Sequence, residues 1–287
     1  MKYLLIVTCF TILVQFALAQ NIKPILKNVL DARVKESSGL VFTEQGLWTF
    51  NDGKSASIYR IDNTTGKILQ QISIANTSFI DAEGIAKDDN YLYVEDAGNN
   101  AGDRKNLKIV RIKLSDLKPT TQSVTADIIN FTYPDQTIFA GEKKDNNFDC
   151  ESIIATEDLL YIFTKRRGDN KTGLYSLPKT PGSFKANALA IFDTQGLVTD
   201  AAISPNGKYV ALLGYLKGHL SSFMWLFSNY MGTNFFKGNA QRFLLTDKTD
   251  EWQTEGITFL NAASLFLSCE MTKDKPAALY LFGSTKK

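Results

Sequence analysis

The sequence predicts an all-β protein built from five similar repeats, and three observations support this fold class. Short runs of Val, Ile, Phe, Tyr and Leu, bounded by Gly, Asn and Asp, recur along the 287 residues, while helical periodicity is hard to find. One short motif occurs in five copies along the chain. With 44% hydrophobic residues, 22% charged residues and only 7 Pro, the composition is that of a globular protein and excludes a disordered or collagen-like chain.

The beginning of the chain has the pattern of a secretory signal peptide. Lys2 precedes an apolar run at 4–14, and Ala-Leu-Ala at 17–19 is a small-x-small cleavage site. We therefore expect a signal peptide at 1–19, a single mature domain at 20–287, and a secreted or periplasmic protein. The apolar run is shorter than the roughly 20 residues of a spanning helix, so we expect no membrane span.

Charge and histidine content exclude several classes of partner and site. The 32 Lys and Arg against 30 Asp and Glu leave a net charge of +2, which does not indicate a nucleic-acid partner. His219 is the single histidine, which excludes His-rich zinc sites, two-histidine iron sites and paired-histidine relays.

Each repeat begins with a five-residue motif that starts polar and ends apolar. The copies are ESSGL at 36–40, DAEGI at 81–85, DCESI at 149–153, TDAAI at 199–203 and QTEGI at 253–257. A turn and a second apolar run follow each copy, and a polar loop leads to a third run. This strand–turn–strand–loop–strand unit is the sequence form of one blade of a β-propeller.

The spacing of the motifs predicts five blades and a closed ring. Their middle positions are 45, 68, 50 and 54 residues apart, so the second blade carries an insertion. Too few residues follow the last motif for a whole blade, and we expect the run 22–29 to supply the outer strand of the final blade. A six-bladed ring is the alternative, although the insertion contains no sixth motif.

The first strand of each blade lines the channel of a propeller, and side chains two residues apart share a face. The middle motif positions that should converge on the axis are Ser38, Glu83, Glu151, Ala201 and Glu255. The positions two residues earlier form a layer above them and include Asp81 and Asp149.

So many converging carboxyl groups need compensation by other charges. Oxygen ligands without His or Cys describe a hard-cation site, and a flexible ring of carboxylates favours Ca²⁺ over Mg²⁺. We therefore predict an axial calcium ion. The alternatives are protonation, a ring of arginines, glutamates that bond strand backbone and channel water, or a metal that only pins the blades together.

The axial set resembles the central calcium shell of the five-bladed calcium-activated nucleotidases, or soluble apyrases. The likeness continues through NDGK at 51–54, the run from 81–86 into 92–94, and KRR at 165–167. It implies Ca²⁺-dependent hydrolysis of nucleotides. Ala201 stands where that family has a hydroxyl, so a backbone carbonyl or water would replace one ligand. The motif style is also similar to exported bacterial propellers of the SdiA-regulated group, whose activity is undefined.

The loops between second and third strands should surround the channel mouth, where function is expected. Cations above a carboxylate-held metal can clamp an anion. The expected catalytic residues are the carboxylates Asp81 and Asp149 and the anion clamp Lys165 and Arg166. The expected substrate-binding residues are Asp52, Lys54, Asp96, Asn99 and Arg167. The alternative for segment 165–167 is a solvated loop paired with acids such as Asp149.

This arrangement favours hydrolysis of a nucleotide or another phosphate compound, with a small anionic ligand as substrate. Two alternatives remain: a non-catalytic propeller that binds a ligand or protein, and a lactonase-like metal hydrolase. Cys150 and Cys269 fall in the third and fifth blades, which are not adjacent in a ring of five. We therefore expect two free, mostly buried thiols.

Overall fold

A computed structural model describes residues 20–21, 23–139, 145–216, 218, 221–246 and 252–283. The predicted signal peptide at 1–19 and the single histidine, His219, lie outside these residues. Within the described part, no helix has the length and apolar character needed to cross a bilayer. Short 3₁₀ turns occur at Ala32–Val34, Leu114–Asp116 and Phe235–Lys237.

The strands, numbered along the chain, form five sheets that correspond to five blades. Blade 1 contains β3 (Val41–Thr43), β4 (Gly46–Thr49), β5 (Ser57–Ile61) and β6 (Ile68–Ile74). Blade 2 contains β7 (Gly84–Lys87), β8 (Tyr91–Asp96), β9 (Leu107–Lys113) and β11 (Asp127–Thr132). Blade 3 contains β12 (Cys150–Ala155), β13 (Leu159–Arg166), β14 (Lys171–Pro178) and β16 (Asn187–Phe192).

The ring is completed by two more sheets of the same kind. Blade 4 contains β17 (Leu197–Ile203), β18 (Tyr209–Tyr215), β19 (Ser222–Ser228) and β20 (Asn239–Leu244). Blade 5 contains β21 (Thr254–Asn261), β22 (Ser264–Cys269), β23 (Ala278–Gly283) and β2 (Ile25–Val29). The five-bladed fold is confirmed and the six-bladed alternative is wrong, because the described strands of the insertion, β10 (Ser123–Val124) and β11, belong to the sheets of blades 1 and 2 and form no sheet of their own.

The predicted closure by the N-terminal segment is also confirmed. Strand β2 pairs antiparallel with β23, with Ile25 opposite Leu281 and Val29 opposite Ala278. The strand is shorter than the predicted run 22–29, and the residues before it continue onto blade 4, where β1 (Gln20–Asn21) pairs in parallel with β20. One N-terminal segment therefore joins blades 4 and 5.

Two further short strands connect neighbouring blades in the same way. Strand β10 (Ser123–Val124) leaves blade 2 to pair in parallel with β6 of blade 1. Strand β15 (Gly182–Lys185) leaves blade 3 to pair in parallel with β11 of blade 2. These strands cover the outer edges of blades 1 and 2, as β1 covers the edge of blade 4.

Apolar side chains fill the spaces between the blades. The described residues form five buried clusters, one at each interface of adjacent blades. The inner strand β12 is buried throughout because blades pack on both of its faces, whereas outer strand β6 alternates between buried and exposed residues. Cys150 and Cys269 are free and buried, as predicted.

The turn between β5 and β6 closes against the N-terminal strand. The backbone N–H of Asp31 donates to the Gly66 carbonyl at 3.0 Å. Gly66 has φ +73°, and a Cβ at this position would overlap the Val29 carbonyl oxygen. A side chain here would therefore strain the backbone and push β2 outward.

We expect Gly66→Ala to lower the free energy of unfolding by at least about 1 kcal/mol more than Gly207→Ala. Gly207 is a matched control, since it has φ +65° and a Cβ added there would meet no atom within 4 Å. Urea denaturation of the two variants measures the difference. Equal losses would contradict the close approach of the turn to β2.

Candidate functional site at the channel mouth

The predicted axial glutamates lie at one end of the channel. Glu83, Glu151 and Glu255 are 7%, 2% and 4% exposed. Ser38 of blade 1 donates from Oγ to Oε2 of Glu83 at 3.1 Å, which joins blades 1 and 2. Burial, together with the charges of Glu151 and Asp52, raises the pKa of Glu83 well above its ordinary value. These acidic side chains are therefore close enough to perturb one another.

A second set of side chains comes from the ends of the second strands. In four blades, a backbone N–H at this point donates to the carbonyl of the first motif residue, and the donors are Asp52, Gly98, Lys165 and Glu270. The shared bond places these positions at the same mouth. Gly98 leaves room for its neighbours, because a Cβ there would overlap the side chains of Asp81 and Glu83.

Lys165 lies among the axial glutamates. Its Nζ is 2.8 Å from Oε2 of Glu151, and the two side chains are 4% and 2% exposed. Burial alone would lower the pKa of Lys165, but the charges of Glu151 and Glu255 raise it well above its ordinary value. The ammonium therefore stays charged. On the blade 4 side it lies 5.0 Å from the ring centroid of Tyr215.

Arg167 links blades 2 and 3 beside this lysine. Its NH2 atom lies 2.8 Å from Oδ2 of Asp149 and 3.4 Å from Oε1 of Glu151. The same atom donates to Oδ1 of Asn100 at 2.7 Å. Asp149 also accepts the backbone N–H of Asn99 at 2.6 Å. Lys165 and Arg167 are therefore both paired with carboxylates, and the pairs are largely buried.

Three carboxyl groups meet on the blade 1 and blade 2 side of the mouth. One oxygen each from Asp52, Asp81 and Glu83 lies within 4.8 Å of the others. Burial and the charges of Asp81 and Glu36 raise the pKa of Asp52 to about 6. Burial and the charge of Asp149 raise the pKa of Asp81. This arrangement is what a small oxygen-ligand cation site requires.

The blade 5 side adds two more acidic groups. Glu270 is 8% exposed and accepts a short hydrogen bond from the Gln253 amide. Burial and the charges of Glu255 and Asp52 raise the pKa of Glu270 to about 9. Among the described atoms, Oε2 of Glu255 is buried without a hydrogen-bond partner. The burial of these carboxyl groups therefore outweighs the opposing charge of Lys165.

Blade 4 contributes differently from the other blades. The Ala201 methyl offers no ligand, and its N–H donates to Oδ1 of the preceding Asp200 at 2.8 Å. Oδ2 of Asp200 accepts the N–H of Ile257 in blade 5 at 2.7 Å. The Leu40 N–H of blade 1 also bonds this carboxyl group. Asp200, which sequence reasoning missed, therefore joins three blades through their backbones.

Several predicted site residues lie away from the axial cluster, or form ion pairs and hydrogen bonds that stabilise the loops. Arg166 pairs with Asp169, with NH2 and Oδ2 2.7 Å apart. Asp96 is fully buried and pairs with Arg104 and Lys108, at 3.1 and 3.2 Å.

Asp96 also accepts the backbone N–H groups of Ile80 and Asp81, so it shapes the second motif. Asn99 donates from its side chain to the Phe148 carbonyl and accepts the Arg104 N–H. Lys54 is exposed on the loop after β4. Asp96 and Asn99 thus hold loops in place around the mouth.

The opposite end of the channel opens into a separate cavity of about 840 Å³ lined by all five blades. Buried apolar residues of the inner strands, among them Leu40, Ile85 and Ile153, form its inner wall. Its rim is polar and includes Lys87 and Glu157. The cavity has the size of a small-molecule site.

No family model matches the chain, and no curated protein matches it. Among solved structures, it is similar to glutaminyl cyclase of Myxococcus xanthus, at 11% identity and a TM-score of 0.49, with 91% of this chain and 93% of that chain covered.

It is also similar to a protein described as a 6-phosphogluconolactonase from Bacteroides uniformis, at 16% identity and a TM-score of 0.42, with coverage of 89% and 69%. A protein described as TolB from Agrobacterium tumefaciens matches at 10% identity and a TM-score of 0.44, with coverage of 86% and 76%. Likenesses this distant say nothing about activity. The chain's own five sheets identify it as a five-bladed β-propeller.

Proposed function

We propose that the protein is an exported, Ca²⁺-dependent propeller hydrolase that acts on a small phosphate compound at the channel mouth. The observation that carries the proposal is the meeting of Asp52, Asp81 and Glu83, whose oxygens lie within 4.8 Å of one another. These residues, rather than the whole predicted axial set, are the ones that we assign to the metal.

The donor set fits a divalent cation of the calcium type. All three residues offer carboxylate oxygens, and Ca²⁺ accepts six to eight oxygen ligands in flexible geometry. Burial and neighbouring carboxyl groups raise the pKa values of Asp52, Asp81 and Glu83, so nearby cations do not fully offset the cost of their negative charges. A bound cation would supply that balance.

The axial set fits a metal less well. Lys165 already pairs with Glu151 at 2.8 Å, and Ala201 has no side-chain ligand to offer. The Ser38 hydroxyl is engaged by Glu83. We therefore assign the ion to the blade 1 and blade 2 side of the mouth, with Glu83 shared between the two groups.

The reaction class follows from the charges around this position. A bound divalent cation supplies Lewis-acid stabilisation of negative charge on a phosphate oxygen. Lys165 and Arg167 keep Glu151 and Asp149 neutralised, which lessens the repulsion between the mouth and an anion. The side-chain amide of Asn100 accepts from Arg167 and donates to Asp81, which holds it beside the proposed cation ligands. Arg166 has no assigned role, because it pairs with Asp169.

The test compares calcium binding and phosphate release in the purified mature protein. We expect calcium to raise the melting temperature and to support phosphate release from nucleoside di- or triphosphates, with both effects lost in EGTA. Glu83→Gln should reduce phosphate release at least about 100-fold and abolish the calcium-dependent melting shift. Glu44→Gln, at an exposed position of blade 1, is the matched control.

Each outcome decides one part of the proposal. No bound calcium by elemental analysis and no melting shift would overturn the metal site. Bound calcium without phosphate release would overturn the hydrolase. A lactone panel run in parallel tests the lactonase-like alternative.

A second candidate is a propeller that binds a small ligand without catalysis. The cavity of about 840 Å³ at the opposite end of the channel favours it, because that cavity can take a ligand without using the acidic mouth. Ligand-induced stabilisation that survives Glu83→Gln would support this candidate.

A further inference from the structure

The buried ammonium group of Lys165 lies between charged and aromatic groups of neighbouring blades. It contacts Glu151 of its own blade directly, at 2.8 Å, and lies over the ring of Tyr215 in blade 4, at 5.0 Å. Its charge also partly offsets the raised pKa of Glu255 in blade 5. Its contacts with blades 3 and 4 and its influence on blade 5 place the charge near the axis.

The backbone explains why Lys165 and not its neighbour occupies this place. The Lys165 N–H donates to the Asp149 carbonyl at 2.7 Å, which ties the end of β13 to the start of the inner strand. Alternate residues of a strand face opposite sides. Arg166 therefore points to the other face, where it meets Asp169.

We propose that Lys165 is the axial cation of this propeller: a tethered counter-ion that holds Glu151 and Glu255 together and keeps a metal ion from lying between them. The ammonium and a divalent ion repel each other strongly in so buried a place, so only one of them can neutralise the ring. The ring glutamates are the residues for which the sequence predicts calcium.

This inference goes beyond the proposed function, and it rests on that function only for the position of the native ion at Asp52 and Asp81. It predicts that the axial shell is a latent metal site. Removal of the ammonium would leave carboxylates that already converge and have lost their counter-charge. A divalent cation then becomes the natural replacement.

The experiment counts bound calcium ions and measures melting temperatures in EGTA and in calcium. We expect Lys165→Met to melt below the wild type in EGTA, to recover in calcium, and to bind one more ion than the wild type. Its added site should bind calcium at least about tenfold more tightly than any axial binding in the wild type. Lys165→Arg, which keeps the charge, should show no such gain.

Arg166→Met is the matched control, since it removes a neighbouring cation of the same strand that faces away from the axis. The inference would be overturned if Arg166→Met also bound one more calcium ion than the wild type, or if Lys165→Met bound no additional ion. The proposed function can fail separately: if the wild type binds no ion, Lys165→Met should still bind one.

A measurement on the wild type covers the case in which Lys165→Met does not fold. Anomalous scattering from crystals soaked in Mn²⁺ should show no ion between Glu151 and Glu255. An ion at the axis, with Lys165 displaced, would overturn the inference.

Discussion

Replacing Asp200 by alanine should lower the free energy of unfolding by about 3 kcal/mol or more. The variant removes the acceptor of the N–H groups of Ala201 and Ile257, bonded at 2.8 and 2.7 Å, and of Leu40. Both Asp200 and Ala201 are buried, so water cannot replace the lost carboxyl group without entering the core. The loss affects blades 4, 5 and 1 together.

Urea denaturation followed by tryptophan fluorescence measures this effect. Asp89→Ala, at an exposed position, should change stability by less than about 0.5 kcal/mol. Asp200→Asn keeps one carbonyl oxygen as an acceptor, so its free energy of unfolding should lie between those of Asp200→Ala and Asp89→Ala. If Asp200→Ala is as stable as Asp89→Ala, the carboxyl group does not join the three blades.

Glu270 should make the calcium-free protein less stable as the pH rises. Its pKa is about 9 in the folded protein, against 4.5 ordinarily, because of burial and the charges of Glu255 and Asp52. Between these values the folded protein retains a proton that the unfolded chain has released. The stabilisation is therefore complete below pH 4.5 and is lost as the pH rises towards 9.

Glu270→Gln should remove this dependence, because the amide can accept the Gln253 hydrogen bond without titrating. Between pH 5 and 8 in EGTA, we expect the wild type to lose at least about 2 kcal/mol more stability than the variant. Glu44→Gln, exposed in blade 1, should follow the wild-type curve. Parallel curves for wild type and Glu270→Gln would contradict the prediction.

The repeat made the fold predictable. A polar-to-apolar motif at near-regular spacing indicated five blades, and the shortage of residues after the last motif indicated closure by the N-terminal strand. The two-residue strands β1 and β10 carry too little pattern to be predicted from sequence. Their pairing depends on the position of the neighbouring blade.

The candidate site was only partly predictable, for two physical reasons. Alternation along the inner strands identified the axial glutamates but not their counter-ion, because Lys165 comes from the end of a second strand. Alternation also turns the second motif position away from the axis, so it gave no indication that Asp200 bonds the backbone of the neighbouring blade. The one visible signal was an aspartate in an otherwise apolar strand.

The short parallel strands β1, β10 and β15 connect some pairs of neighbouring blades more firmly than others. They bridge three of the five seams between blades, those joining 1 to 2, 2 to 3 and 4 to 5. In the described chain, the seams joining 3 to 4 and 5 to 1 have no such bridge. Local opening of the ring should therefore begin at these two interfaces. It would separate a three-blade arc (blades 1 to 3) from a two-blade arc (blades 4 and 5). Lys165 belongs to the three-blade arc and lies over Tyr215 of the two-blade arc, so its side chain acts as a clasp between them.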